Sequence, residues 1–146
     1  MQLTNNLTEY GSISKIFHWL SAAALLIQIP LGFYLVDLDF GEKRLTIESI
    51  HVVLGLSLFY LTLLRLIYKL FNPTPSIGNS IFPGQKLIAK LNHILLYITI
   101  LAITVSGALK KLLSGEVLDV FLLNVEIKEN FELAELFYDM HIISNY

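Results

Sequence analysis

The sequence predicts an all-α integral-membrane helical bundle, with three transmembrane helices plus the start of a fourth. Two observations carry that expectation. Of 146 residues, 55% are hydrophobic and 15% charged, against about 45–50% apolar and about 25% charged in an average soluble domain, and mean hydropathy is +0.65. The apolar residues also gather into three stretches of the length a bilayer needs, about 20 residues at about 1.5 Å rise each. The length allows one domain, residues 1–146. This composition excludes a collagen, a disordered chain and a disulfide-stapled secreted domain. A formal net charge of −2, with no Lys/Arg-rich tract, excludes a basic nucleic-acid binder.

The first span runs over about residues 16–36, with His18 as its only ionisable group and Pro30 expected to kink it. It is too long for the apolar core of a signal peptide, and no small-x-small cleavage site follows it. The second runs over about 47–67, with Glu48 and His51 near its start and Arg65 near its end. Residues 71–84, FNPTPSIGNSIFPG, hold the prolines and glycines that end this helix and permit a short turn. The third span covers about 87–109 and carries Lys90 and His93 near its start. Residues 110–130 mix charges with a short apolar patch at 120–125 that cannot span, so they read as an interfacial or loop segment. From about residue 133 the apolar spacing is helical again, and the chain ends five residues after His141. The fourth helix is therefore expected to be incomplete here, or only a surface cap. Lys15, Arg65, Lys69, Lys86 and Lys90 sit close to the spans on one side, which favours a cytoplasmic N-terminus in a multi-pass protein of a bacterial inner membrane. No internal repeat is present.

With no cysteine, iron–sulfur clusters, covalent C-x-x-C-H haem, thiolate zinc sites and thiol catalysis are all unavailable. Redox or metal chemistry falls to four histidines. Antiparallel threading puts His18 and His93 in one layer and His51 and His141 in the other. A single histidine near a helix end serves commonly as an interhelical hydrogen-bonding group or an interfacial anchor. Four in two opposed layers point instead to haem, because a bundle core can hold a flat cofactor between imidazoles on facing helices. Iron with both axial positions filled suits electron transfer rather than oxygen activation.

Other residues fit that reading. Gly55, one turn after His51, either makes room beside a macrocycle or allows close helix packing. Arg65 and Lys90 could meet propionates or an anionic substrate, while Lys69 suits snorkelling to headgroups. Glu48 and Asp139, close before His51 and His141, could each accept a ring N–H or lie solvated at the interface. Trp19 and Tyr10 fit an interfacial aromatic belt.

The runs YGSISKIFHWL, IESIHVVLGLSLFYLTLLRLIYKLFNPTP and KLIAKLNHILLYITILAITVSGAL resemble the prokaryotic cytochrome b561 family from about Tyr10 onward. The most specific parts are His18-Trp19, the H-x-x-x-G of His51 and Gly55 with the downstream Arg65 and N-P-x-P, and the L-x-H-x-x-x-Y that contains His93. The resemblance implies a four-helix membrane cytochrome with two b-type haems, one near each face. It matches His18, His51 and His141 to iron ligands and pairs His51 with His141. The ligand that would partner His18 lies further along the fourth helix than this chain extends, so one complete pair is offered here. His93 then becomes a propionate or quinone hydrogen-bonding group. The implied function is electron exchange between membrane quinone and a donor or acceptor at the outer face, with superoxide as one candidate donor. The alternative is a cytochrome subunit that anchors a larger hydrogenase or dehydrogenase. Lipid, quinone and a redox protein are the implied partners.

Overall fold

The structure is a computed structural model that describes residues 2–76, 84–120 and 123–143. Four helices are present among them: α1 Ser12–Val36, α2 Glu42–Phe71, α3 Gln85–Leu113 and α4 Phe131–Ile143. The first three are long and apolar enough to cross a membrane. At about 1.5 Å per residue they measure roughly 37–45 Å, longer than about 30 Å of hydrocarbon. Each begins or ends a turn or more beyond its apolar run. The excess is polar, as in Ser12–Lys15, Glu42–Thr46 and Lys110–Lys111, because a helix continues into the headgroup region once its hydrogen-bond ladder has started. Residues 110–113, expected as loop, are therefore the last turn of α3. Pro30 lies inside α1, which runs without a break on both sides of it. Of the turn at 71–84, residues 77–83 lie outside the described residues, as do 121–122 of the apolar patch and the last three residues.

The segment after α3 holds a two-stranded antiparallel hairpin, β1 Leu118–Val120 with β2 Leu123–Val125, paired Leu118 to Val125 and Asp119 to Asn124. Two turn devices reverse the chain. Gly115 takes φ 78°, and the Gly115 N–H donates to the Leu112 carbonyl while the Glu116 N–H donates to that of Lys111. This is the Schellman closure of a helix C-terminus. Asn130 then opens α4, its side-chain oxygen accepting from the Leu133 N–H at 3.1 Å. As a result α4 packs back along α3. The bundle is built as two helix pairs, α1 with α2 and α3 with α4, joined at a thinner α2–α3 seam.

Few residues are buried, and several of those are small and polar: Ser21, Thr62 and Ser106. Small residues let helix backbones approach each other in a bilayer. Their hydroxyls turn back on their own helix: Ser21 donates to the Phe17 carbonyl at 2.7 Å and Thr62 to that of Leu58 at 2.7 Å. Large apolar side chains such as Leu26, Ile27, Leu95 and Ile98 point outward, as they must where the solvent is lipid.

Residues 2–11 fold over the start of α1. The Gly11 N–H and the Ser14 hydroxyl both donate to the Asn5 side-chain oxygen, at 3.0 and 2.7 Å. Asn5 Nδ2 donates to the Pro73 carbonyl at 3.1 Å, and the Ser76 N–H donates to that of Leu7 at 2.8 Å. The segment thus ties the entrance of α1 to the exit of α2. It fits only because position 11 lacks a side chain: a Cβ there would stand 2.4 Å from the Leu3 carbonyl oxygen. Gly11→Val is expected to cost about 1–3 kcal/mol through overpacking and to lower the thermal midpoint of the detergent-solubilised protein. Gly41→Ala, where a Cβ meets nothing within 4 Å, is the control. A wild-type midpoint for Gly11→Val would overturn this account of the segment.

Candidate functional site

A cavity of about 440 Å³ lies between the helices at the end of the bundle that carries the β-hairpin. Each helix sends residues to it. Gln28 and Gly32 come from α1, His51 and Gly55 from α2, Ile103 and Gly107 from α3, and His141 from α4. The two imidazoles meet where the α1–α2 pair adjoins the α3–α4 pair, with ring centres 6.1 Å apart and planes at 88°. The expected layer of His51 with His141 is thus assembled in space.

Glycines hold this arrangement open. A Cβ on Gly32 would lie 3.2 Å from the His51 ring, and one on Gly107 would lie 2.9 Å from the His141 ring. Gly55 plays a different part. A Cβ there would stand 3.2 Å from Gln28 Nε2, so its missing side chain is what lets Gln28 reach across and donate to the His51 carbonyl at 2.9 Å. Gly32, Gly107 and Gln28 were not singled out by the sequence. The legible signal for Gln28 is a lone amide in an apolar span, and for the glycines their place on the turns opposite histidines.

The two histidines are held differently. His141 Nδ1 lies 2.8 Å from the Ile103 carbonyl and 3.3 Å from Ser106 Oγ. Because a carbonyl only accepts, Nδ1 carries the proton, and Nε2 is the nitrogen with the lone pair. A metal-binding histidine is ordinarily oriented in this way. Asp139 does not supply that hydrogen bond; the backbone of α3 does, because α4 packs against α3. His51 Nδ1 is buried without a partner. Glu48 does not serve it, since its carboxylate lies 3.9 Å from Lys110 instead. At the cavity mouth are Arg44, Lys110 and Lys111, with Lys111 paired to Glu116. Arg65 and Lys90, the cations the sequence offered for propionates at the inner ends of the second and third spans, do not line this cavity.

Arg65 is at the other end of the bundle. Its guanidinium sits 5.7 Å from the Tyr97 ring centre, with Lys69 at 5.4 Å from the same ring. His93 lies within electrostatic reach of Lys69, Arg65 and His18. Both His18 and His93 are exposed, and His18 stands edge-on to Trp19 with ring centres 5.4 Å apart. Trp19 is 70% exposed, consistent with the aromatic belt.

The outer pair can be tested against metal geometry. A metal–imidazole nitrogen bond is about 2.0–2.1 Å and a ring centre lies roughly 1.15 Å behind its nitrogen, so trans imidazoles on one metal have centres about 6.3–6.5 Å apart. The observed 6.1 Å is within a few tenths of an ångström of that. Among the described residues no group of three or more His, Asp or Glu converges on a metal position. A site with two imidazoles requires the remaining donors from the cofactor itself, as a porphyrin provides. The residues fit a haem.

Comparison with known proteins agrees. Residues 9–146 match the family described as prokaryotic cytochrome b561. A curated relative, "Cytochrome b561 homolog 2" of Escherichia coli (strain K12), is 31% identical over 122 residues, which cover 83% of this chain and 65% of the relative. The chain therefore spans less than two thirds of that relative's length. The family match extends over nearly the whole sequence and meets three apolar spans and a facing histidine pair in the structure; the chain belongs to the prokaryotic cytochrome b561 family of multi-pass membrane haem proteins.

Proposed function

We propose that the protein is a membrane electron carrier in which His51 and His141 would hold a haem b on the β-hairpin side. The observation that carries this is the pair of imidazoles 6.1 Å apart across a glycine-lined cavity. A haem held there would supply one-electron chemistry. The chain does the rest. Ile103 and Ser106 fix the His141 tautomer, and Gly32 and Gly107 keep Cβ atoms away from the rings. Arg44 and Lys110 at the mouth are the cations proposed for the propionates.

At the opposite end, His18 is proposed as a ligand of the second haem of the family pattern, with Arg65 and His93 as its polar neighbours. Membrane quinone is proposed to exchange electrons at that end, and a donor or acceptor at the hairpin end. The hairpin end exposes Asp37, Asp39, Glu42, Asp119, Glu126 and Glu129 against Lys43 and Lys128, and Lys110 and Lys111 each lie beside an acid. Such a surface slows the approach of an anion. This favours a neutral or cationic redox partner there over superoxide. Residues 1–146 are proposed to act as one domain, with the N-terminus on the cytoplasmic side.

Reduced-minus-oxidised spectra of membranes that contain the protein test the ligand pair. His51→Ala and His141→Ala should each remove the b-type band of the site between them, and an unchanged spectrum in both would overturn the assignment. Gly107→Val places bulk 2.9 Å from the His141 ring. It should lower haem content several-fold while the chain still accumulates in the membrane; full haem content would contradict the role given to that glycine. A reduced short-chain quinol added to the oxidised protein should reduce the b-type band, and no reduction would overturn the quinone reading.

A further inference from the structure

We propose that Gln28 is a positioning residue for His51: it fixes the backbone that carries the ligand and accepts the imidazole Nδ1 proton through one bridging water. The inference rests on the reading that His51 and His141 hold a haem, and it makes α1 a third contributor to a site whose imidazoles come from α2 and α4.

The argument begins with an imbalance. Nδ1 of His141 has the Ile103 carbonyl at 2.8 Å. Nδ1 of His51, in an equivalent position on the facing helix, is buried with no partner. With Nε2 of His51 turned to a metal, Nδ1 is the protonated nitrogen and requires an acceptor. One acceptor on the same cavity is also unsatisfied. Gln28 Oε1 is buried without a partner, while the nitrogen of the same amide donates to the His51 carbonyl. The orientation of that amide is not arbitrary, since the carbonyl can only accept and the NH₂ must face it. The oxygen is therefore the end left over. A donor and an acceptor, both buried and both unpaired, line one cavity beside the same residue.

The α1 register brings them together. Gln28 and Gly32 are one turn apart on one face of α1. A Cβ on Gly32 would lie 3.2 Å from His51 Cε1 and 3.8 Å from Nδ1, so this face of α1 lies against the Nδ1 edge of the ring. The cavity between has room for a water, and the two groups offer it one donor and one acceptor. A lone amide in an apolar transmembrane segment is costly and needs such a use. Gly55 belongs to the same device, because an alanine there would press on Gln28 Nε2.

An acceptor on Nδ1 makes the imidazole a stronger electron donor to the iron. The test is the midpoint potential of the haem held by His51 and His141, measured by redox titration of the full chain. Gln28→Leu, which removes the acceptor, should raise that potential and weaken haem retention by about 10–100-fold. Gln28→Glu, which offers a stronger acceptor, should lower the potential. Gly55→Ala, whose Cβ would stand 3.2 Å from Gln28 Nε2, should displace the amide and reproduce the upward shift of Gln28→Leu while leaving position 28 unchanged. A packing role would not give shifts of opposite sign. The proposal is overturned if Gln28→Leu retains the wild-type potential, or if the Leu and Glu variants shift in the same direction. Should Gln28→Glu fail to accumulate, Gln28→Leu and Gly55→Ala decide: upward shifts support the proposal and wild-type values overturn it. His51→Ala in the same preparation separates the two levels. If it keeps the haem, the ligand reading fails. If it loses the haem while the Gln28 and Gly55 variants remain silent, only the inference about Gln28 fails.

Discussion

Inside hydrocarbon no water is present to satisfy a polar group, so each donor and acceptor must find its partner within the protein. Most of this structure follows from that constraint. The backbone is helical wherever it is long and apolar. Serine and threonine hydroxyls in the spans return to carbonyls of their own helix, as Ser57 does to Val53 and Thr104 to Ile100. The imidazole of His141 takes a backbone carbonyl of the neighbouring helix. Among the described residues the buried side-chain atoms left unpaired are Gln28 Oε1, His51 Nδ1 and Tyr68 OH. Two of the three lie on one cavity. Unsatisfied polarity in a bilayer is expensive, and its concentration at the place where two imidazoles meet marks that place as a site.

The helices were legible because hydropathy is a sum over many residues, and a run of 20 apolar residues has few alternatives to a crossing. Their ends were not, because Ser12, Glu42 and Lys110 are polar whether they belong to a helix or a loop, and only the continuing hydrogen-bond ladder decides. The layering of the histidines followed from antiparallel threading, and the structure brings His51 and His141 together. What the sequence could not supply is rotation about each helix axis. Glu48 precedes His51 by three residues and was a reasonable partner for it; the observed rotation turns its carboxylate to Lys110. Asp139 loses His141 to the backbone for the same reason. Gly55 lies beside His51 as expected, yet its closest approach is to Gln28, a residue that composition alone gave no reason to place there.

The two helix pairs have a further consequence. His51 belongs to the pair α1–α2 and His141 to the pair α3–α4, and the seam between the pairs is the thinnest packing in the bundle. A ligand that grips both imidazoles is thus a fastener between two halves that each fold locally. A ligand bound only by the joined form stabilises it by mass action. On the proposed ligand reading, the supply of cofactor would set how long a newly inserted chain survives: without the fastener the halves would part, expose the seam and present quality-control proteases with an unfinished product. A redox centre held by His51 and His141 would thus double as a certificate of assembly.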